Sequence, residues 1–271
     1  MPVSRIITLT TDFGTADPYV AAMKGVILSI APAAYLVDVT HEIPPQDVWR
    51  GAYVMDTSTR YFPEQSIHVG VIDPGVGTER RAVVVRTERA YYVAPDNGLL
   101  TPILQREYPL EAVVLDNPTY WRQHVSHTFH GRDVFAPVAA YLARGVPLSA
   151  LGTPIDPESL VRLDWPAPRV PEAGRVEGIV VHIDRFGNIV TNIPAQLLEG
   201  PAEAWRFRVD GQVLQGLKRA YAEVERGEPL ALIGSNQTVE FSLREGNAAQ
   251  AWNVRVGDNV VAWRHTSSDG G

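Results

Sequence analysis

Acidic and imidazole side chains stand at four predicted strand-to-loop junctions in the first half of the sequence. These side chains are Asp12, His41, Asp73 and His130. Ligands of α/β proteins bind beyond the carboxyl ends of parallel strands, which meet at one edge of the sheet, so we expect the four groups to lie close together. One chemistry for such a set is metal-dependent hydrolysis, in which the four side chains hold a divalent ion that activates water.

A second chemistry needs no metal. Asp73 opens a Pro-Gly turn between two apolar runs, and Arg80 stands where the second run begins. His130 directly precedes a predicted helix, whose positive end disfavours protonation of the imidazole. A neutral His130 could accept a proton from water, Asp73 could position that water, and Arg80 could stabilise the developing hydroxide.

The same residues also have structural interpretations. Asp73 with the Pro-Gly pair is typical of an ordinary turn, and a lone histidine beside a helix is often a capping or packing residue. Arg80, like its neighbour Arg81, is compatible with a solvated surface position. The metal hypothesis lacks a His-x-x-x-His pair. Taken alone, these residues leave the alternatives open.

Composition narrows the classes of protein. The chain has 271 residues, 45% of them apolar, a formal net charge of −7 and no cysteine. Disulfides and thiol nucleophiles are therefore excluded. The absence of clustered positive charge makes nucleic acid an unexpected partner, and no apolar run reaches the length of a membrane span. The amino-terminal residues lead directly into a strand pattern instead of a signal peptide, so we expect a cytoplasmic protein.

The order of predicted elements indicates two domains. Residues 1–165 alternate strands and helices, which is typical of an α/β domain with a parallel sheet; its first helix is expected to start at an Asp17 N-cap. Residues 166–172 form a proline-rich linker. Short strands over residues 173–264, with a hairpin turn at Asp210-Gly211, indicate a small β-barrel or sandwich. Residues 265–271 are predicted to be a disordered tail.

Two loops of the second domain could recognise a polar ligand. Asp184 and Asn188 suit hydrogen bonding to an amino acid or a base, and Phe186 between them offers an apolar wall. Ser235 belongs to the second loop. Each loop can equally be a simple turn, because Gly, Asn, Asp and Ser favour turns for backbone reasons.

Six motifs, spread over both domains, resemble those of the S-adenosyl-L-methionine hydroxide adenosyltransferases, the S-adenosylmethionine hydrolases related to the fluorinating and chlorinating enzymes. The motifs are residues 11–14 (TDFG), 72–77 (IDPGVG), 96–99 (DNGL), 129–133 (FHGRD), 186–193 (FGNIVTNI) and 233–235 (IGS). The resemblance implies a Rossmann-like parallel-sheet domain followed by a small β-barrel. It also implies a homotrimer whose substrate lies between the first domain of one subunit and the second domain of its neighbour.

The implied reaction converts S-adenosyl-L-methionine and water to adenosine and L-methionine, without a metal or another cofactor. A non-catalytic module that binds adenosine or S-adenosylmethionine remains an alternative. The residues that the resemblance marks for water activation are Asp73, Arg80 and His130; those it marks for the substrate are Asp12, Asp73, Asp184, Asn188, Tyr221, Ser235 and Glu240, to which the Phe186 wall is added.

Departures from the halogenating relatives favour water over halide as the nucleophile. Those relatives have a hydroxyl-bearing halide pocket where this chain has Val76 and Gly131, and a tyrosine where it has Asp73. Asn236 stands where a relative has arginine, so the contact to the methionine carboxylate is left open.

Overall fold

A computed structural model describes residues 6–264 of the protein, so the predicted tail 265–271 lies outside the described residues. The chain divides into two compact units, one ending at Trp165 and one beginning at Pro166. Within the described range, every helix is too short or too polar to cross a lipid bilayer.

The first unit is built on a seven-stranded sheet with the order β2-β1-β3-β5-β4-β6-β7. Its strands are β1 (Ile6–Thr11), β2 (Tyr35–Thr40), β3 (Ser66–Val71), β4 (Ala82–Thr87), β5 (Ala90–Pro95), β6 (Pro109–Val114) and β7 (Thr153–Ile155). Its helices are α1 (Tyr19–Ile30), α2 (Val48–Thr59), α3 (Thr101–Arg106), α4 (Ala136–Ala143) and α5 (Leu148–Leu151).

The sheet is mixed, so the prediction of a parallel sheet is correct for only part of it. Strands β2, β1, β3 and β5 are parallel neighbours, whereas β4, β6 and β7 run antiparallel to their neighbours. The physical reason lies in the Glu88-Arg89 link between β4 and β5. Two residues can close only an antiparallel hairpin, since a parallel crossover needs a dozen or more. The Rossmann-like description stays a prediction.

Helices cover both faces of this sheet and bury the inner strand β3. All six residues of β3 are buried. On one face the core joins Met23 and Ile27 of α1 to α4, and on the other it joins Met55 of α2 to Ile103 of α3. A strand covered on both faces cannot move without opening the core, so the loop after β3 has a fixed origin.

The predicted start of α1 is wrong by one residue. Pro18, and not Asp17, occupies the N-cap, and no side chain caps this helix end. Proline has no side-chain acceptor, so the free N–H groups of the first turn receive no side-chain cap at this position. The side chain of Asp47 does cap α2, accepting a hydrogen bond from the Arg50 N–H at 2.9 Å.

The second unit is an eight-stranded, antiparallel, nearly closed barrel-like sheet. The strand order is β12-β11-β15-β9-β10-β14-β13, with β8 paired to β9 and a bridge from Lys218 to Leu232 near the open seam. Its elements are β8 (Arg169–Glu172), β9 (Arg175–Ile183), β10 (Ile189–Pro194), β11 (Trp205–Val209), β12 (Gln212–Gln215), β13 (Pro229–Ile233), β14 (Thr238–Leu243), α6 (Ala248–Trp252) and β15 (Asn259–Arg264).

Two local predictions for this unit have different outcomes. Asp210 and Gly211 both have positive φ, 39° and 79°, as a two-residue hairpin turn between β11 and β12 requires, so the predicted turn is confirmed. The predicted linker, in contrast, contains strand β8. Arg169 pairs with Glu177 of β9 in register and through a 3.1 Å ion pair, which draws this segment into the sheet.

Candidate active site

Asp73, Arg80 and His130 meet in the first unit. The Arg80 guanidinium donates from Nε to Asp73 Oδ1 at 2.9 Å and from Nη2 to Asp73 Oδ2 at 2.6 Å. Nη2 also lies 2.8 Å from His130 Nδ1. Asp73 follows the buried strand β3, and Arg80 directly precedes Arg81 and strand β4. One turn therefore supplies both partners of a two-pronged ion pair, the strongest geometry for a guanidinium and a carboxylate.

This arrangement fixes the protonation pattern of the imidazole. A guanidinium has only donors, so His130 Nδ1 must accept and cannot carry a hydrogen. The neutral ring then carries its hydrogen on Nε2. The side chains of Asp73 and Arg80 are only 5% and 10% exposed, so the ion pair is nearly removed from solvent.

His130 is held neutral by its surroundings. Burial, together with the positive charge of Arg80, keeps the pKa of His130 below the ordinary value for histidine. The sequence predicted a lowered tendency to protonate but assigned it to the end of a helix. A π-helical turn, Gly131–Phe135, follows His130 and runs into α4. The Phe135 ring of this turn lies 5.4 Å from the Arg80 guanidinium carbon. The turn therefore contacts Arg80 as well as following His130 directly.

The four residues of the metal hypothesis do not form a ligand set. No group of three or more His, Asp or Glu side chains within residues 6–264 is placed to hold a metal ion. His41 is buried, with Nδ1 2.9 Å from Thr11 Oγ1 and Nε2 3.1 Å from Asp38 Oδ1. Asp12 accepts a hydrogen bond from the Gln46 N–H at 2.8 Å. Burial raises the pKa of the Asp12 carboxyl, and the negative charge of Asp73 adds to this effect.

The second unit contains an open cavity of about 860 Å³. It brings together all the site residues that the sequence predicted for this unit, which are Asp184, Phe186, Asn188, Tyr221, Ser235 and Glu240. These residues come from separate loops and strands of the barrel. Phe186 is 74% exposed, so its ring is available to cover a ligand.

Asp184 and Asn188 form one hydrogen-bonded turn. The Asp184 carboxylate accepts from the Phe186 N–H at 2.8 Å, from the Asn188 N–H at 2.9 Å and from the Asn188 side-chain amide at 2.9 Å. Gly187 lies inside the turn with φ +85°, and a Cβ there would be 2.1 Å from Asn247 Cγ. Asp184 therefore orders the loop, and Asn188 is presented to the cavity with its amide orientation fixed.

Glu240 is the buried acid of the cavity. It accepts hydrogen bonds from the Tyr221 hydroxyl at 2.6 Å and from the Ser242 hydroxyl at 3.1 Å. Burial and the Glu240 charge both raise the pKa of Tyr221, which keeps its hydroxyl protonated as a donor. A Cβ at Gly234 would lie 2.7 Å from Glu240 Oε2, so glycine at this position lets the carboxylate reach the cavity.

Several contributing residues were missed or misassigned from the sequence. Arg219 and Arg244 line the cavity, but nothing in their spacing distinguishes them from surface arginines. Arg81 was compared to a solvated residue, yet its Nε donates to Asp96 Oδ2 at 2.7 Å. The motif that contains Asp96 and Asn97 could have indicated a partner for Arg81. Asn97 of the same motif donates to the Ile72 carbonyl at 2.9 Å, next to Asp73.

Known proteins match both units of the chain. The domain family described as SAM hydroxide adenosyltransferase N-terminal domain matches residues 7–152, and its C-terminal counterpart matches residues 178–261. A protein of Salinispora tropica named (R)-S-adenosyl-L-methionine hydrolase is 40% identical over 94% of this chain and 96% of its own length. A solved structure of an uncharacterized conserved protein from Thermotoga maritima is 35% identical, with a TM-score of 0.89 over 95% of this chain and 100% of the other.

The chain therefore belongs to the SAM hydroxide adenosyltransferase family. More distant similarity extends to halogenating enzymes: a protein of Actinoplanes sp. named fluorinase is 31% identical over 94% of this chain and 96% of its own length. Both relationships agree with the resemblance inferred from the six sequence motifs.

Proposed function

We propose that this protein hydrolyses S-adenosyl-L-methionine to adenosine and L-methionine. The observation that carries the proposal is the Arg80 guanidinium bound at once to Asp73 and His130, in a chain of this family. The names of the relatives support the same reaction. The substrate is a sulfonium, which leaves as a neutral thioether, so the departing methionine needs no general acid.

The proposed step is an in-line displacement at the nucleoside C5′. The oxygen of water forms a bond to C5′ while the C5′–S bond breaks, and the bonding pair passes to sulfur. Asp73 accepts the proton of the water, because its carboxylate retains lone pairs beyond the two bound by Arg80. His130 orients the water oxygen through its Nε2–H, since Nδ1 is occupied by Arg80. Orientation of this kind can contribute about 7–11 kcal/mol.

The second unit would supply recognition. Asn188, Ser235, Glu240 and Tyr221 suit the hydroxyls and base of adenosine, and Phe186 suits the base as an apolar wall; Asp12 of the first unit is the proposed ribose contact. Asp184 would act at the methionine end, in addition to ordering its loop. No metal and no other cofactor enters this proposal, and a cytoplasmic location stays a prediction.

The reaction is tested with S-adenosylmethionine in H₂¹⁸O, with and without chloride. We expect equal amounts of methionine and adenosine, with ¹⁸O in the adenosine 5′-hydroxyl. A halogenated nucleoside in the presence of chloride would contradict water as the nucleophile. Activity that disappears with a chelator and returns with a divalent ion would establish the metal-dependent alternative, and ligand binding without turnover would establish the binding module.

We also propose a homotrimer with active sites shared between subunits, as the resemblance implies. Equal amounts of an Asp73→Ala chain and a Glu240→Ala chain are denatured together and refolded. The assay uses S-adenosylmethionine well below KM, where both variants are weakly active. If the sites are shared, mixed trimers contain some sites with neither substitution, and part of the activity returns. Activity no higher than that of the two variants refolded separately would contradict shared sites, and sedimentation measures the number of subunits.

A further inference from the structure

Asp133 is a buried carboxylate that the proposed reaction does not use. Its side chain is 0% exposed. Arg132 donates to it from Nε at 2.7 Å and from Nη2 at 2.9 Å, and Arg122 donates from Nη1 at 3.1 Å. The Ser126 N–H adds a fourth hydrogen bond at 2.9 Å. A charge buried so completely is costly unless it is paired, so this cluster is well defined in position.

The partners of Asp133 lie on two different segments. Arg122 and Ser126 belong to the loop before His130, whereas Asp133 and Arg132 lie in the π-helical turn after it. Backbone hydrogen bonds join the same segments, from the Arg122 N–H to the Asp133 carbonyl at 2.9 Å and from the Asp133 N–H to the Phe129 carbonyl at 3.1 Å. Asp133 therefore joins the segment before His130 to the π-helical turn after it.

This loop also touches the turn that carries the other two site residues. Gly77, between Asp73 and Arg80, has φ +78°, and a Cβ at this position would lie 2.5 Å from the His127 carbonyl oxygen. The approach is too close for any side chain at position 77. A shift of residues 122–128 would consequently be transmitted to the turn that holds Asp73 against Arg80.

We propose that Asp133 is a positioning residue for water activation: by clamping residues 122–128 to the π-helical turn, it fixes His130 and the Asp73–Arg80 turn in one arrangement. This inference rests on the proposed hydrolysis. A purely structural carboxylate would stabilise the first unit without fixing the position of the imidazole.

The chain offers a matched control for that distinction. Glu107 is also buried and paired with an arginine, accepting from Arg106 Nη1 at 2.6 Å and from Thr87 Oγ1 at 2.7 Å. Its partner Thr87 ends β4 next to Ala90, and Ala90 pairs with the first residue of β3. Glu107 therefore lies where β3 begins, whereas Asp73 follows the residue where β3 ends. Glu107→Gln therefore removes a comparable buried charge far from His130.

The test compares Asp133→Asn with Glu107→Gln in the full-length protein. Both substitutions are expected to lower the melting temperature. Only Asp133→Asn is expected to lower kcat, by about 10- to 100-fold, because small misplacements of reacting groups have effects of this size. KM for S-adenosylmethionine is expected to change less than threefold, since the adenosine contacts are untouched.

An NMR titration of the His130 ring nitrogens gives a readout that does not require turnover, with His130→Gln used to assign the signals. The charged or titratable groups that face this ring are Arg80, Asp73, Asp133 and His127. The negative charge of Asp133 favours the protonated imidazole, so Asp133→Asn is expected to lower the pKa of His130 by loss of charge alone. Positioning is instead read from the Nδ1 chemical shift of the neutral ring, which is expected to change in Asp133→Asn because the contact from Arg80 to Nδ1 is disturbed. Glu107→Gln is expected to leave both the pKa of His130 and the Nδ1 chemical shift unchanged.

Equal kcat values in Asp133→Asn and the wild type, or equal losses of kcat in both variants, would overturn the inference. If Asp133→Asn fails to fold, Arg122→Ala decides the question, because Arg122 is partly exposed and its loss removes only one partner of Asp133. Unchanged kcat and an unchanged Nδ1 chemical shift of His130 in that variant would also overturn the inference. A wild type that releases no adenosine would contradict the proposed function instead, and the Nδ1 chemical shift of His130 would still test the clamp.

Discussion

The two units place their polar groups in opposite ways. In the first unit, Asp73, Arg80 and His130 bind one another and are mostly buried. In the second unit, Glu240 and Tyr221 also pair, but they line an open cavity of about 860 Å³ with an exposed Phe186. The first arrangement is preorganised for a small reactant such as water, and the second has room for a nucleoside. The comparison predicts that substitutions of Asp73, Arg80 and His130 change kcat, whereas substitutions in the cavity of the second unit change KM.

The largest effect is expected for Asp73→Asn, which keeps the shape of the side chain but removes the proton acceptor. A positioned base contributes about 10² to 10⁴ in rate, so kcat for adenosine release should fall by a factor in that range while KM changes little. Steady-state assays and circular dichroism measure activity and folding. Full activity in this variant would break the assignment of catalysis to the first unit.

The next effect concerns the free energy of unfolding in acid, which is expected to decrease in the first unit because of His68. Burial, with the nearby charges of Arg106 and Arg89, lowers the pKa of His68 in β3 to about 3. The unfolded chain protonates this histidine near pH 6.5 and the folded chain does not, so stability should decrease as the pH falls from 6.5 towards 3. At pH 5 the expected loss is about 2 kcal/mol relative to neutral pH.

Amide hydrogen exchange can locate this loss, which is expected in the strands around β3. The control is His68→Asn, in which an amide can still bond Thr8 Oγ1, the partner that lies 2.8 Å from the imidazole. This variant should show a flatter dependence of unfolding free energy on pH. The same acid sensitivity in the variant and the wild type would rule out His68 as its source.

The smallest effect is expected for Glu240→Gln. The substitution removes the charge of an acceptor that faces the cavity, and hydrogen bonds to charged groups contribute about 1.5–3 kcal/mol. We therefore expect KM for S-adenosylmethionine to rise about 10-fold with kcat largely kept. The control is Glu177→Gln, which alters a carboxylate paired with Arg175 outside the cavity. A fall in kcat without a change in KM would contradict a recognition role for Glu240.

The sequence predicted elements where one local signal dominates. Strand β3 is mainly apolar, with Ile67, Val69 and Val71 among its six residues, and the Asp210-Gly211 turn has residues that tolerate positive φ. The mixed sheet was missed because strand direction depends on connection length and pairing, not on apolar content. Strand β8 was missed because proline-rich composition concealed the pairing of Arg169 with Glu177.

For the site, the sequence predicted that Asp73 and His130 lie close together, because both stand at predicted strand-to-loop junctions. It did not predict how side chains pair. Arg81 finds Asp96 and Asp133 finds Arg122 through tertiary packing, and spacing along the chain gives no sign of either contact. The tautomer of His130 likewise follows only from the position of the Arg80 guanidinium.

The π-helical turn after His130 makes the length of the chain at this point as important as its composition. Such a turn holds one residue more than a regular α-helix would use. Since an α-helix rotates about 100° per residue, loss of a single residue from Gly131–Phe135 would let α4 continue smoothly and swing the imidazole away from Arg80. A deletion could thus silence the enzyme while every side chain named in the reaction remained, an outcome that no survey of substitutions would uncover.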